Sequence, residues 1–135
     1  MESFSVFVGT GPLMASGLLR GARGIVPSAG NLDPGLCRQL YDCAASRDRE
    51  GTESLNRRLM ALAGVYQKGR SLGQSLAALK GAMASLELCG PDVFPPLTPV
   101  SAAQCRALGA ELDRLGLPVL GSHRNKDTTT NYARC

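Results

Sequence analysis

Gly9-Thr10-Gly11 follows the apolar run Phe4-Ser5-Val6-Phe7-Val8, and Ser28-Ala29-Gly30-Asn31 follows Gly24-Ile25-Val26-Pro27. A glycine-rich turn between a strand and a helix is where backbone N–H groups can cradle a phosphate. The dinucleotide pattern GxGxxG, however, needs a third glycine where this chain has Met14, and no acid closes the second run. No lysine follows these glycines, which removes a Walker loop. A tight strand-to-helix turn accounts for the same residues without a ligand. Ser28 could be a nucleophile only beside a base, and Val26-Pro27-Ser28-Ala29-Gly30 is not a GxSxG elbow. Lys80 could form a Schiff base if buried, but a lysine on a helix more often extends its amine to solvent. Cys37, Cys43, Cys89, Cys105 and Cys135 contain no CxxC pair, and His123 is the sole histidine, so metal ligation is not indicated. All five read as reduced, structural thiols, with Cys37, Cys89 and Cys105 expected to be buried among apolar neighbours. No pair of carboxylates stands out. By inventory the chain lacks a complete active site.

The elements that position these turns follow from the hydrophobic pattern. Phe4–Val8 and Gly24–Pro27 read as strands, with a helix between them that opens at Pro12 and carries Leu13, Met14, Leu18 and Leu19 to Gly21. Asp33-Pro34 opens the next helix as cap and first turn, with Leu36, Leu40, Tyr41 and Ala44 at helical spacing. Three more helices follow. Leu55, Leu59, Leu62, Ala63 and Tyr66 form one stripe, and Leu72, Leu76, Leu79, Met83 and Leu86 form a second. A capping box of Ser101 and Gln104 opens the third, which carries Cys105, Leu108, Leu112 and Leu115 to Gly116. Phe94-Pro95-Pro96-Leu97-Thr98-Pro99 is expected to be an extended linker, because each proline disfavours helix in the residue before it. After Gly121 no aliphatic residue is larger than alanine, and residues 118–135 are expected to be a disordered tail. Two strands joined by a helical crossover should be parallel. A parallel pair is normally buried on both faces within a larger sheet, so the chain is expected to be the end of something bigger.

Composition narrows the function classes. The 135 residues are 44% hydrophobic with 4% aromatics and no tryptophan, enough for a core built from Leu, Ala, Val and Met. No apolar run approaches the roughly 20 residues of a membrane span. No Lys or Arg precedes Arg20, which speaks against an export signal and for a cytoplasmic location. The net charge of +4 comes from basic residues spread along the chain among acids, without a basic cluster interleaved with aromatics. Neither nucleic acid nor membrane is therefore expected as a partner.

Taken together, Phe4–Gly9, Leu18–Asn31 with its Gly21-Ala22-Arg23-Gly24 turn, Leu40-Tyr41, Ala78-Leu79-Lys80 and Pro95-Pro96-Leu97-Thr98-Pro99-Val100-Ser101 resemble the dihydrodipicolinate synthase / N-acetylneuraminate lyase family. The resemblance covers roughly residues 3–117. It implies an α/β fold, the C-terminal portion of a TIM (β/α)8 barrel. Residues 1–46 would supply strands 7 and 8 with their helices, and residues 47–117 a three-helix C-terminal appendix. The implied activity is that of a class I lyase or aldolase, in which a lysine forms a Schiff base with pyruvate or another 2-oxo acid, without a cofactor, in a homo-oligomer. The lysine at the end of strand 6 and the tyrosine at the end of strand 5 would precede residue 1, leaving this chain a truncated, inactive part. Lys80 matches a helix lysine of the family, not the catalytic one. Gly9, Thr10, Val26 and Ser28 are the implied substrate-binding positions: Gly9 borders substrate through its backbone, Val26 lies beside the Schiff base, and Ser28 matches a serine that contacts substrate hydroxyls in the sugar-acid branch of the family. Thr10-Gly11 stand where many members carry acids, and Phe94 stands where many carry arginine, which leaves the substrate open. Two other readings compete: a non-catalytic helical module that pairs with a partner chain, and a phosphate- or nucleotide-binding βαβ unit.

Overall fold

The computed structural model describes residues 4–117. The expected tail at 118–135, with His123 and Cys135, lies outside them. Strand β1 (Phe7–Val8) runs into a 3-10 turn at Gly11–Leu13 and helix α1 (Met14–Leu19). Strand β2 (Gly24–Ile25) runs into a 3-10 turn at Ser28–Asn31 and helix α2 (Pro34–Ala45). Helices α3 (Arg49–Gln67), α4 (Leu72–Ser85) and α5 (Ala102–Arg114) complete the order.

The strands pair in parallel, Phe7 opposite Gly24 and Val8 opposite Ile25, as their crossover requires. Both are shorter than their apolar runs. Each strand has a single neighbour here, so the ladder extends only to bonds from Arg23 N to Val6 O (2.8 Å) and from Val26 N to Val8 O (2.9 Å). Helix α1 lies close on β1: a Cβ at Gly17 would come within 2.6 Å of Val8 Cγ2, so only glycine permits this approach.

The helices begin where their caps dictate. Asp33 Oδ1 accepts from Leu36 N at 2.8 Å, ahead of Pro34, and Asp48 Oδ1 accepts from Gly51 N at 2.9 Å. Ser71 with Gln74 and Ser101 with Gln104 form full capping boxes at α4 and α5. Helix α3 is the hub of the packing, touching α1, α2, α4, α5 and both 3-10 turns. Its stripe Leu59, Leu62, Ala63 and Tyr66 is buried, meeting Leu36, Leu40, Leu108 and Leu112 in one core.

Three expectations are corrected. In α4 only the later part of the leucine stripe is covered: Leu79, and Leu86 just past the helix end, are buried, and Met83 packs half-buried against the core. Leu72 and Leu76 are 79% and 45% exposed, whereas Ser75, Ala78, Gly81 and Ala82 are buried beside Leu79. The helix is apolar on several sides, and its small residues let α3 and α5 approach more closely than leucines would. The Phe94–Leu97 segment is not extended. Leu97 N bonds to Phe94 O at 3.0 Å across a cis Pro95-Pro96 bond, a turn of the kind that places cis proline third. Cys37, Cys89 and Cys105 are half-buried, not buried, and these three and Cys43 are free thiols. No helix of the described residues is long and apolar enough to cross a membrane.

This packing predicts that Leu112→Ala, at a fully buried position, lowers stability by about 2–5 kcal/mol in denaturant unfolding. Leu72→Ala on the exposed face of α4 should change it by less than about 0.5 kcal/mol.

Candidate functional site at the carboxyl ends of the strands

Both strands release the chain at the same end of the sheet, and the turn after each is held by α3. After β1, Gly9 and Thr10 are exposed, and Thr10 O accepts from Leu13 N at 2.9 Å to start the 3-10 turn. Above Gly11 sits Met60 of α3. A Cβ at Gly11 would lie 2.6 Å from its Sδ, so the glycine admits a helix side chain. Met60 crowds this turn, and α1 behind it has only six residues. The nucleotide-binding reading of Gly9-Thr10-Gly11 is therefore not favoured.

After β2, Val26 is 66% exposed and Ser28 opens the second 3-10 turn. Asn31 Nδ2 donates to Ser28 O at 2.9 Å, tightening the turn. The Ser28 hydroxyl lies 2.6 Å from the Tyr66 hydroxyl and accepts from Gln67 Nε2 at 3.4 Å. Both partners come from the last turn of α3. Gly9 and Ser28 line one small cleft of about 60 Å³, walled by Met60, Ala63 and Gln67 of α3. The structure thus brings Gly9 and Ser28 together. Thr10 and Val26 flank them in sequence but do not line that cleft.

Sequence reasoning assigned Tyr66 to the core stripe and passed over Gln67. The Tyr66 ring is core, at 1% exposure, but its hydroxyl reaches the site. The available signal was chemical: a buried tyrosine needs a partner for its O–H, and no stripe residue supplies one. Burial raises the Tyr66 phenol above its ordinary value of 10.0, the hydrogen bonds from Ser28 and Gln67 pull the other way, and the nearby Cys37 adds to the rise. The Cys37 thiol is likewise raised, by burial and then by the Asp33 carboxylate, which keeps it protonated and unreactive. Lys80 is half-buried on α4, an element that contributes nothing to this cleft. Among the described residues no group of three His, Cys, Asp or Glu side chains could hold a metal ion.

The model of the dihydrodipicolinate synthetase family matches residues 1–115. The chain belongs to that family. The 4-hydroxy-tetrahydrodipicolinate synthase of Chlorobium luteolum is 28% identical over 116 residues, which are 86% of this chain and 38% of that protein. Dihydrodipicolinate synthase from Bacteroides thetaiotaomicron superimposes with a TM-score of 0.74 at 29% identity, over 82% of this chain and 38% of that one. The prophage protein YagE of Escherichia coli K12, solved with pyruvate, shares the fold at a TM-score of 0.71 and 22% identity, over 85% of this chain and 38% of its own. The chain therefore spans a little over a third of the length of these family members.

Tyr66 yields a pH prediction. With its phenol raised, the folded chain holds that proton more tightly than the unfolded chain, so this contribution is intact below pH 10.0 and is lost as pH rises above it. Tyr66→Phe should cost about 1 kcal/mol at neutral pH through the lost hydrogen bond. The gap between the two proteins should then narrow in denaturant melts as pH climbs past 10.0.

Proposed function

We propose that these residues are the pocket-lining and packing part of a Schiff-base-forming lyase of the 4-hydroxy-tetrahydrodipicolinate synthase kind, acting on pyruvate or another 2-oxo acid. The observation that carries this reading is the convergence of Gly9 and Ser28, from the carboxyl ends of two parallel strands, on one cleft in a chain of this family. Parallel α/β folds keep their chemistry at those strand ends. Support also comes from the face of the sheet away from the helices, where Phe7 is 61% and Val26 66% exposed. A parallel pair is ordinarily covered on both sides, and the remaining strands of a barrel with the substrate pocket at its mouth would cover this one.

In this reading residues 1–46 are strands 7 and 8 of a (β/α)8 barrel with their helices, and residues 47–117 are the helical appendix. A lysine outside these residues forms an imine with the substrate carbonyl, releasing water; in cleavage the protonated imine takes up the electron pair of the breaking carbon–carbon bond to become an enamine, and in synthesis the imine loses a proton to give that enamine, whose electron pair forms the new bond. Gly9 lets the substrate approach the backbone, with Thr10 beside it. Val26 gives the imine an apolar wall that lowers the local dielectric. Ser28, its hydroxyl oriented by Tyr66 and Gln67, is the hydrogen-bonding group aimed at the substrate. Pyruvate in YagE supports the substrate class. A cytoplasmic homo-oligomer belongs to the same proposal, as do the positions of the catalytic lysine and tyrosine outside these 135 residues.

Borohydride reduction in the presence of pyruvate tests this directly. The 135-residue chain should show no mass increase at Lys68, Lys80 or Lys126. A reduced adduct at any of the three would mean that the chain carries its own nucleophile.

A further inference from the structure

Five arginines that are scattered along the sequence come together in space. Two adjoining clefts, of about 410 and 600 Å³, open beside α1 and around the amino end of β2, on the other side of β2 from Ser28. Arg20 and Arg49 line both. Arg57 adds a third guanidinium to the first cleft, and Arg23 and Arg47 join in the second. Glu53, paired with Arg49 at 3.6 Å, is the sole carboxylate among the residues lining either. Arg20, Arg23, Arg47 and Arg57 have no ion-pair partner among the described residues. Arg47 also takes the left-handed conformation, φ 61, at the turn between α2 and α3, where glycine would fit at lower cost.

Several like charges gathered on concave surface repel one another, and an anion relieves that repulsion while accepting paired N–H donors from each guanidinium. We propose that the two clefts bind one organic bisphosphate, a phosphate in each, with Arg20 and Arg49 on the shared wall. The site uses none of Gly9, Thr10, Val26 or Ser28, so its occupancy is independent of the lyase reading.

Isothermal titration of the 135-residue chain with fructose 1,6-bisphosphate, inorganic pyrophosphate and a single-stranded oligonucleotide tests this. The bisphosphate should bind saturably and more tightly than pyrophosphate. Arg20→Gln with Arg49→Gln should weaken it about tenfold or more, as loss of charge-assisted hydrogen bonds requires, and the single variant Arg57→Gln should weaken it in the same direction. Arg106→Gln on α5 should leave it unchanged, with circular dichroism confirming that each variant is folded. Absence of saturable binding overturns the proposal, as does equal weakening by Arg106→Gln. Pyrophosphate binding as tightly as the bisphosphate overturns the placing of one phosphate in each cleft, and tighter binding of the oligonucleotide assigns the clefts to a nucleic-acid backbone instead.

Discussion

The contact between the Tyr66 and Ser28 hydroxyls, 2.6 Å apart, is where the helical and strand-bearing parts of this chain meet. Two strands of two residues each cannot hold a site by themselves, since a lone pair of strands has too little ladder and too little buried face. The turns are held by α3. Its Met60 fills the space over Gly11, and its last turn supplies Tyr66 and Gln67 to Ser28. The Tyr66 ring is in turn fixed by the core shared by α2, α3, α4 and α5. Geometry at the strand ends is thus set by burial some distance along the chain.

This arrangement explains why the molecule is apolar in places where solvent would ordinarily forbid it. The helices cover one side of the strand pair, and Phe4, Phe7 and Val26 on the rest of it stay exposed. Exposed aromatic and branched residues beside open strand edges mark a surface built to be covered. The family members it matches are more than twice as long as this chain; under the proposed function the rest of such a fold covers this surface, and the cleft between Gly9 and Ser28 is part of a larger pocket.

Much of this was legible in the sequence because local rules decided it. Asp33-Pro34, Ser101 with Gln104 and the 3.6-residue stripe of α3 each determine an element from within, and the order of strands and helices fell out of them. The strand-to-helix turns at Gly9-Thr10 and Ser28 were legible for the same reason. The illegible features depend on choosing among alternatives that local rules leave equal. Helix α4 is apolar on several sides, and only the approach of α3 and α5 decides that Leu79 is covered with the alanines while Leu72 and Leu76 are left exposed. The prolines after Phe94 forbid helix but do not distinguish an extended strand from a turn. The Tyr66 hydroxyl finds its partner 38 residues away, and arginines from 20 to 57 converge only after α1, α2 and α3 have packed.

The most direct test is a chimera in which residues 4–117 replace the aligned segment of the Bacteroides thetaiotaomicron dihydrodipicolinate synthase. A barrel completed by this chain should fold, form a borohydride-reducible imine with pyruvate on the host protein's own lysine, and lose turnover on Ser28→Ala while keeping that imine. A folded, soluble chimera that cannot be reduced onto pyruvate would contradict the account, because the strand ends carrying Gly9 and Ser28 would then not be those of the lyase pocket.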